Sequence, residues 1–238
     1  MTGRVVIDCF SDCLWQYRDG WAVVAVDVIR ATTTAMTAVA LGRRCIPASS
    51  LPDALERAAC LERPLLVGEL GGNMPFGFDM NNSPAQLARR ADVERPVVLL
   101  ATSGTPLILN ARGADAVYLG GFRNYGALAG HLAGRHERIA VVGAGSRREF
   151  REEDQMACAW ISEGLLNAGY AAADPNTVDL VGRWSGSPPD ACFASNSVRY
   201  LRRSGQMEDL EFILAHVNDL SAACVMRYGE VVLAPAAD

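Results

Sequence analysis

The sequence lacks the short signatures of several common chemistries, and each absence narrows the field. No Cys-x-x-Cys pair occurs. The seven cysteines are Cys9, Cys13, Cys45, Cys60, Cys158, Cys192 and Cys224. Their number is odd, and Cys9-x-x-x-Cys13 has no matching second pair, so a zinc site is not expected. Their alanine and aliphatic neighbours predict free thiols packed as small apolar residues, which fits a reducing compartment. No Walker loop is present, and Gly143-Ala144-Gly145 lacks the third glycine of a dinucleotide fingerprint. Both absences argue against a nucleotide-dependent transferase. Without a Gly-x-Ser-x-Gly elbow, a serine hydrolase of the α/β-hydrolase type is not expected. There is no basic block and the net charge is −5, which argues against nucleic acid as the main partner. No apolar run is long enough to span a membrane. Met1-Thr2-Gly3-Arg4 enters a strand without a signal-peptide pattern, so a cytoplasmic location with no membrane partner is expected. His131, His136 and His216 show no ligand spacing and read as surface or interfacial residues.

The chain has 238 residues, half of them hydrophobic, enough to bury a large core without staples. Short apolar runs alternate with helical patterns. Val23-Val24-Ala25-Val26, Cys45 to Ala48, Pro64 to Gly68, Pro96 to Ala101, Ala116 to Leu119 and Ile139 to Val142 read as strands. Ser83-Pro84 reads as an N-cap followed by the first helical residue. From Glu152 a helix runs to Gly169, and Leu210, Ile213, Leu214 and Val217 mark one face of another. Tyr228-Gly229 joins two short strands as a hairpin. The expected fold is α/β and three-layer, a mostly parallel sheet flanked by helices. One domain over residues 1–238 is expected, and the recurring strand–turn–helix units leave two related lobes open. In such sheets ligands bind outside the carboxyl ends of the strands. Asp27, Glu69, Thr102, Asn124 and the Gly145 turn fall at those positions.

The richest stretch is Val26-Asp27-Val28-Ile29-Arg30-Ala31-Thr32-Thr33-Thr34. It ends a buried strand and opens a helix. A carboxylate there costs several kcal/mol unless it is paired or holds a cation. One reading is a buried Asp27–Arg30 ion pair beside a threonine N-cap. The other is an elbow that takes an anion and a cation together at a helix N-terminus. Asp27, Glu69 and Asp154 are oxygen ligands on separate elements, as a hard ion such as Mg2+ requires. For Asp154 the alternative is complementarity with the helix dipole. Thr102-Ser103-Gly104-Thr105 reads either as a small anion nest or as an ordinary N-cap.

These stretches together resemble the 2-phosphosulfolactate phosphatase (ComB-like) family. The carriers are Asp27 to Thr34, Gly68-Glu69-Leu70-Gly71-Gly72, Gly77-Phe78-Asp79, Asn82-Ser83-Pro84, Thr102 to Thr105, Gly121-Phe122-Arg123-Asn124, and Gly143-Ala144-Gly145 with Glu153-Asp154. The resemblance implies a Mg2+-dependent phosphatase acting on a small phosphorylated organic acid. The reaction would convert 2-phosphosulfolactate to sulfolactate and phosphate, a step toward coenzyme M. It implies catalytic roles for Asp27, Arg30 and Glu69, and a metal held among Asp27, Glu69 and Asp154. Substrate contacts would come from Thr32, Thr33, Asn82, Ser83, Thr102, Ser103, Gly104, Thr105 and Asn124. The alternative is a non-catalytic or divergent small-anion-binding member of the same fold, and a homodimer stays open. The chain departs from the family at Leu70 and Pro106, where arginines are usual. Losing two guanidinium forks predicts a preference for a less anionic ester, unless Arg123, Arg147 or Arg148 replaces them.

Overall fold

The computed structural model describes residues 3–235. In chain order its elements begin with β1 (Arg4–Cys9), β2 (Ala22–Val26), α1 (Ala31–Ala40), β3 (Cys45–Ala48) and α2 (Leu51–Ala59). Next come β4 (Leu65–Gly68), α3 (Pro84–Ala88), β5 (Val97–Leu100), α4 (Gly104–Asn110), β6 (Ala116–Gly120) and α5 (Tyr125–Leu132). They are followed by β7 (Arg138–Gly143), α6 (Glu152–Asn167), β8 (Ala171–Ala172), α7 (Pro175–Trp184), α8 (Asn196–Arg203) and α9 (Met207–Ala215). The hairpin β9 (Cys224–Arg227) and β10 (Glu230–Leu233) comes last among the described residues. All the strands join one sheet, in the order β4-β5-β3-β10-β9-β6-β2-β7-β1-β8. Every pairing is parallel except those of the hairpin, which runs antiparallel to β3 on one side and β6 on the other.

The strand β2 sits deep in the sheet, and all five of its residues are buried. Its side chains alternate between faces, as strand geometry requires. Val23 and Ala25 pack with Met36 and Val39 of α1 and with Leu107 and Ile108 of α4. Val24 and Val26 pack on the other face with Leu128 of α5 and with Met156 and Ile161 of α6. The result is a sheet between two helical layers, the α/β arrangement that the apolar runs predict. Burying a valine or leucine side chain contributes roughly 1.5–3 kcal/mol. A few such residues in β2 therefore offset the several kcal/mol that a carboxylate at the strand's end costs.

Local signals set several boundaries. Ser50 and Ser83 accept from the Asp53 and Gln86 N–H groups, at 3.3 and 3.1 Å, and cap α2 and α3. Three features go beyond the sequence reading. Helix α7 is capped by Asp174, which accepts from Thr177 N at 2.7 Å, and Pro175 opens it. That Asp-Pro-x-Thr signal was available in the sequence. Short 3-10 turns occupy Ser11–Gln16 and Pro189–Ala194, where loops are expected. The hairpin lies inside the sheet rather than at its edge.

Candidate active site

The carboxyl ends of β2, β4, β5 and β7 open into one cavity of about 530 Å3, roofed by α8. Among its lining residues are Asp27, Arg30, Glu69, Asn82, Thr102, Ser103 and Asp154. Asp27 follows β2 directly. Its Oδ1 accepts from Ala31 N, in the first turn of α1, at 3.2 Å. Its other oxygen lies where a Cβ at residue 104 would come within 2.2 Å, so only a glycine lets α4 begin against this carboxylate. Asp154 enters from the first turn of α6. It accepts from Val28 N at 2.8 Å, which ties it to the residue beside Asp27. Glu153, 1 % exposed, lies beneath them with Oε2 unpartnered among the described residues.

Burial raises all three acids, and neighbouring negative charge adds to it at Asp27 and Asp154. Burial pushes Asp27 up to about 7, and the nearby Glu69 and Glu153 charges add to it. Burial also holds Asp154 well above the usual carboxylate range, with Asp27 and Glu153 contributing. Burial raises Glu153, while the hydroxyls of Ser197 and Ser195 oppose the rise. Such clustering is costly unless a cation shares the site.

Glu69 behaves differently. Its Oε1 accepts from Thr102 N at 2.7 Å, and its Oε2 from Gly72 N at 2.6 Å and Thr102 Oγ1 at 2.8 Å. It organises the rim loops, and its charge also bears on Asp27 across the same cavity. Among the described residues no three His, Cys, Asp or Glu side chains converge tightly enough to hold a metal alone. Asp27 and Asp154 nevertheless suit Mg2+, which commonly takes only one or two carboxylates and completes its shell with water and substrate phosphate. The donor set and the raised acids both fit that ion.

The Asp27–Arg30 ion pair of the bland reading is not formed. Arg30 Nη1 instead donates to Asp209 Oδ2 and Gln206 Oε1, both at 2.5 Å. Arg30 and Asp209 are both buried, and Asp209 Oδ1 also accepts from Ser83 Oγ at 2.5 Å. Thr32, Thr33, Thr105 and Asn124 are fully buried and do not line the cavity. Thr32 Oγ1 accepts from Asp27 N at 3.0 Å and donates to Gly120 O at 2.9 Å, so it shapes the elbow. Thr33 Oγ1 donates to Val28 O at 2.8 Å, and Thr105 Oγ1 bonds the backbone of Ala101 at 3.0 Å. Asn124 Nδ2 donates to Leu119 O at 3.0 Å. Ser83 and Gly104 stand behind the lining, the first as the α3 cap and the second against Asp27.

Arg147 lines the cavity, whereas Arg148 does not and Arg123 pairs with Asp219 and Thr37 elsewhere. Neither Leu70 nor Pro106 lines it. The sequence reading missed Asp209, Arg151, Arg199, Tyr200 and Arg203. The last three sit on α8, where arginines at positions i and i+4 were the only signal. None of the three histidines and none of the free cysteines lines the cavity.

A family profile described as 2-phosphosulpholactate phosphatase matches residues 13–227. A protein of Symbiobacterium thermophilum named "Probable 2-phosphosulfolactate phosphatase" is 32% identical over 224 residues, covering 90% of this chain and 94% of its own. A protein of the same name from Deinococcus radiodurans is 34% identical over 214 residues and 88% of each chain. Another, from Prochlorococcus marinus, is 27% identical over 224 residues, 89% of this chain and 87% of its own.

Proposed function

The chain belongs to the 2-phosphosulpholactate phosphatase family, and from that premise we propose that it hydrolyses 2-phosphosulfolactate to sulfolactate and phosphate with Mg2+ as cofactor. The observation that carries this reading is the meeting of two buried, raised carboxylates, Asp27 and Asp154, with several arginines in one cavity. Asp27 and Asp154 would hold the ion, whose chemistry is to offset negative charge building on the phosphoryl oxygens.

The chain's own residues do the rest. The Ala31 N–H and the close approach of Gly104 hold Asp27 in one orientation. Arg30 lines the cavity with Nη1 fixed by Asp209 and Gln206, so its position is set before an ester arrives. A fixed guanidinium needs little reorganisation as charge develops, which is where electrostatic catalysis gains most. Thr102 and Ser103 border the anion at the start of α4, and Glu69 keeps the Gly71–Gly72 and Thr102 backbones in register with each other.

The test is phosphate release from 2-phosphosulfolactate with Mg2+, with chelator, and by Asp27→Asn. Turnover that needs the ion and is lost in the variant is expected. Full activity in chelator would refute the metal role. Anion binding without any turnover would favour the divergent small-anion-binding reading.

A further inference from the structure

Five arginines line the cavity, and they are not equivalent. Arg30 is neutralised by Asp209, and Arg151 by Glu149. Arg147, Arg199 and Arg203 have no carboxylate partner among the described residues, although Arg199 Nη1 donates to Asn196 Oδ1 at 3.1 Å. Arg199 and Arg203 line it from α8, and Arg147 from the turn that follows β7. Arg199 and Arg203 share a face of α8, one turn apart. Arg147 and Arg148 occupy the centre of a tight turn closed by Ser146 N to Glu149 O at 2.9 Å and Glu149 N to Ser146 O at 3.0 Å. Their φ values are 52° and 61°, in a conformation that such turns usually give to asparagine or glycine. The chain holds no lysine, and all 22 of its basic residues are arginine.

Helix α8 is fixed in place from several directions. Ser195 caps it through Val198 N at 3.2 Å, and Val198 and Leu201 pack on Leu210 of α9. Asn196 Nδ2 donates to both oxygens of Glu149, at 3.0 and 2.8 Å, across the cavity mouth. Tyr200 Oη donates to Gly72 O at 2.5 Å on the opposite rim. A Cβ at residue 72 would come within 2.6 Å of that hydroxyl, so the glycine is needed for the contact. These ties hold a row of unpaired guanidinium groups above the site.

We propose that Arg199 and Arg203 of α8, with Arg147, form the subsite for the acid groups of the substrate that are not transferred. The proposal rests on the reading that the substrate is 2-phosphosulfolactate. That ester carries a carboxylate and a sulfonate beside its phosphate. Both are planar or forked oxyanions that a guanidinium pairs with in two-point fashion. The phosphate goes to the acid-lined end with its cation, and the other two groups face the arginine wall. This takes up the exception made for Leu70 and Pro106: Arg147 supplies one cation, and two more come from α8, which follows α6 and α7 in the chain.

The experiment compares kcat and KM for 2-phosphosulfolactate and methyl phosphate in wild type, Arg199→Gln, Arg203→Gln and the double variant. Arg202→Gln, on α8 but outside the lining, is the control. Sulfolactate is titrated calorimetrically into each protein, which needs no turnover. Each lost fork should weaken sulfolactate binding and kcat/KM for the larger ester by roughly tenfold to hundredfold, mostly through KM. The preference over methyl phosphate should collapse in the double variant and persist in Arg202→Gln. Equal losses on both esters, or losses as large in the control, would overturn the subsite. A wild type that turns over neither ester would sink the catalytic reading alone. Sulfolactate binding that α8 variants abolish would still support the subsite, and a wild type that does not bind sulfolactate would overturn it. Thermal unfolding of each variant, with Arg203→Lys as a charge-retaining version, separates loss of the fork from loss of fold.

Discussion

At the amino ends of β3, β4 and β5, Arg43, Arg90 and Arg95 converge on Asp92. At the carboxyl end of β2, Asp27 lies with Asp154 and Glu153 from α6. The first cluster balances its carboxylate with guanidinium groups, leaving only Arg43 Nε without a partner among the described residues of the cluster. Arg43 is 3 % exposed and also donates to the carbonyls of Arg90, Asp92 and Arg95. Arg95 goes on to Pro64 O at 2.6 Å, pinning the entry to β4. The nearby arginines hold the Asp92 carboxyl below its usual range, Arg90 most of all. The second cluster does the opposite, with burial and like charge holding its acids above their range. Charges arranged to complete one another stabilise a fold. Charges left incomplete are where a fold gives up stability to keep a site ready for a ligand.

The largest expected effect is also the strongest challenge to that contrast, because Arg30–Asp209 is a complete pair on the site side. Asp209→Ala leaves a buried guanidinium without its partner and should cost about 3–5 kcal/mol in denaturant unfolding. If stability holds and only turnover falls, the pair belongs with the site acids rather than with the structural cluster. Next, Asp27→Asn should slow phosphate release by roughly hundredfold or more, while the unfolding temperature stays level or rises. A clear fall in unfolding temperature would show that Asp27 is stabilising and break the contrast from the other side. Arg43→Met should do the converse. It leaves carbonyls and a carboxylate unpaired, costs about 2 kcal/mol of stability, and leaves kcat per folded molecule at the wild-type value.

The smallest effect is at Asp92. Its folded pKa lies below the ordinary 3.8, so its contribution is present at neutral pH and fades as pH falls below about 4. Asp92→Asn should flatten the acid side of the stability curve by under about 1 kcal/mol, since the carboxylate is partly exposed. An unchanged acid limb would mean that Asp92 is not the group on which those arginines depend.

The strand-end residues were legible in the sequence for a physical reason. An acid directly after an apolar strand has few places to go, and Asp27 and Glu69 both follow such strands. The threonines after Arg30 were less legible. A hydroxyl's partner depends on which backbone group the elbow turns toward it, and Thr32 and Thr33 turn inward to Asp27, Gly120 and Val28. Asp209 has no local signal beyond an acid in the first turn of α9, and its partner Arg30 lies 179 residues away. For Arg199 and Arg203, nothing local tells the solvated face of a short helix from a cavity roof. Helix α7 was an omission with a clear local signal, its Asp174-Pro175-x-Thr177 start.

The position of the hairpin also sets an order in time. The strands β4, β5 and β3 hydrogen-bond as one group, and β6, β2, β7, β1 and β8 as another. Among the described strands, only β9 and β10 link them. Glu69 and Thr102 ride on the first group, Asp27 and Asp154 on the second. On a ribosome, which releases the chain from its amino end, both groups emerge well before residue 224. Each then exposes an unpaired strand edge, β3 on one and β6 on the other, until the hairpin arrives. During that interval the nascent chain depends on helix packing, or on a chaperone, to keep those edges from pairing with a neighbour's.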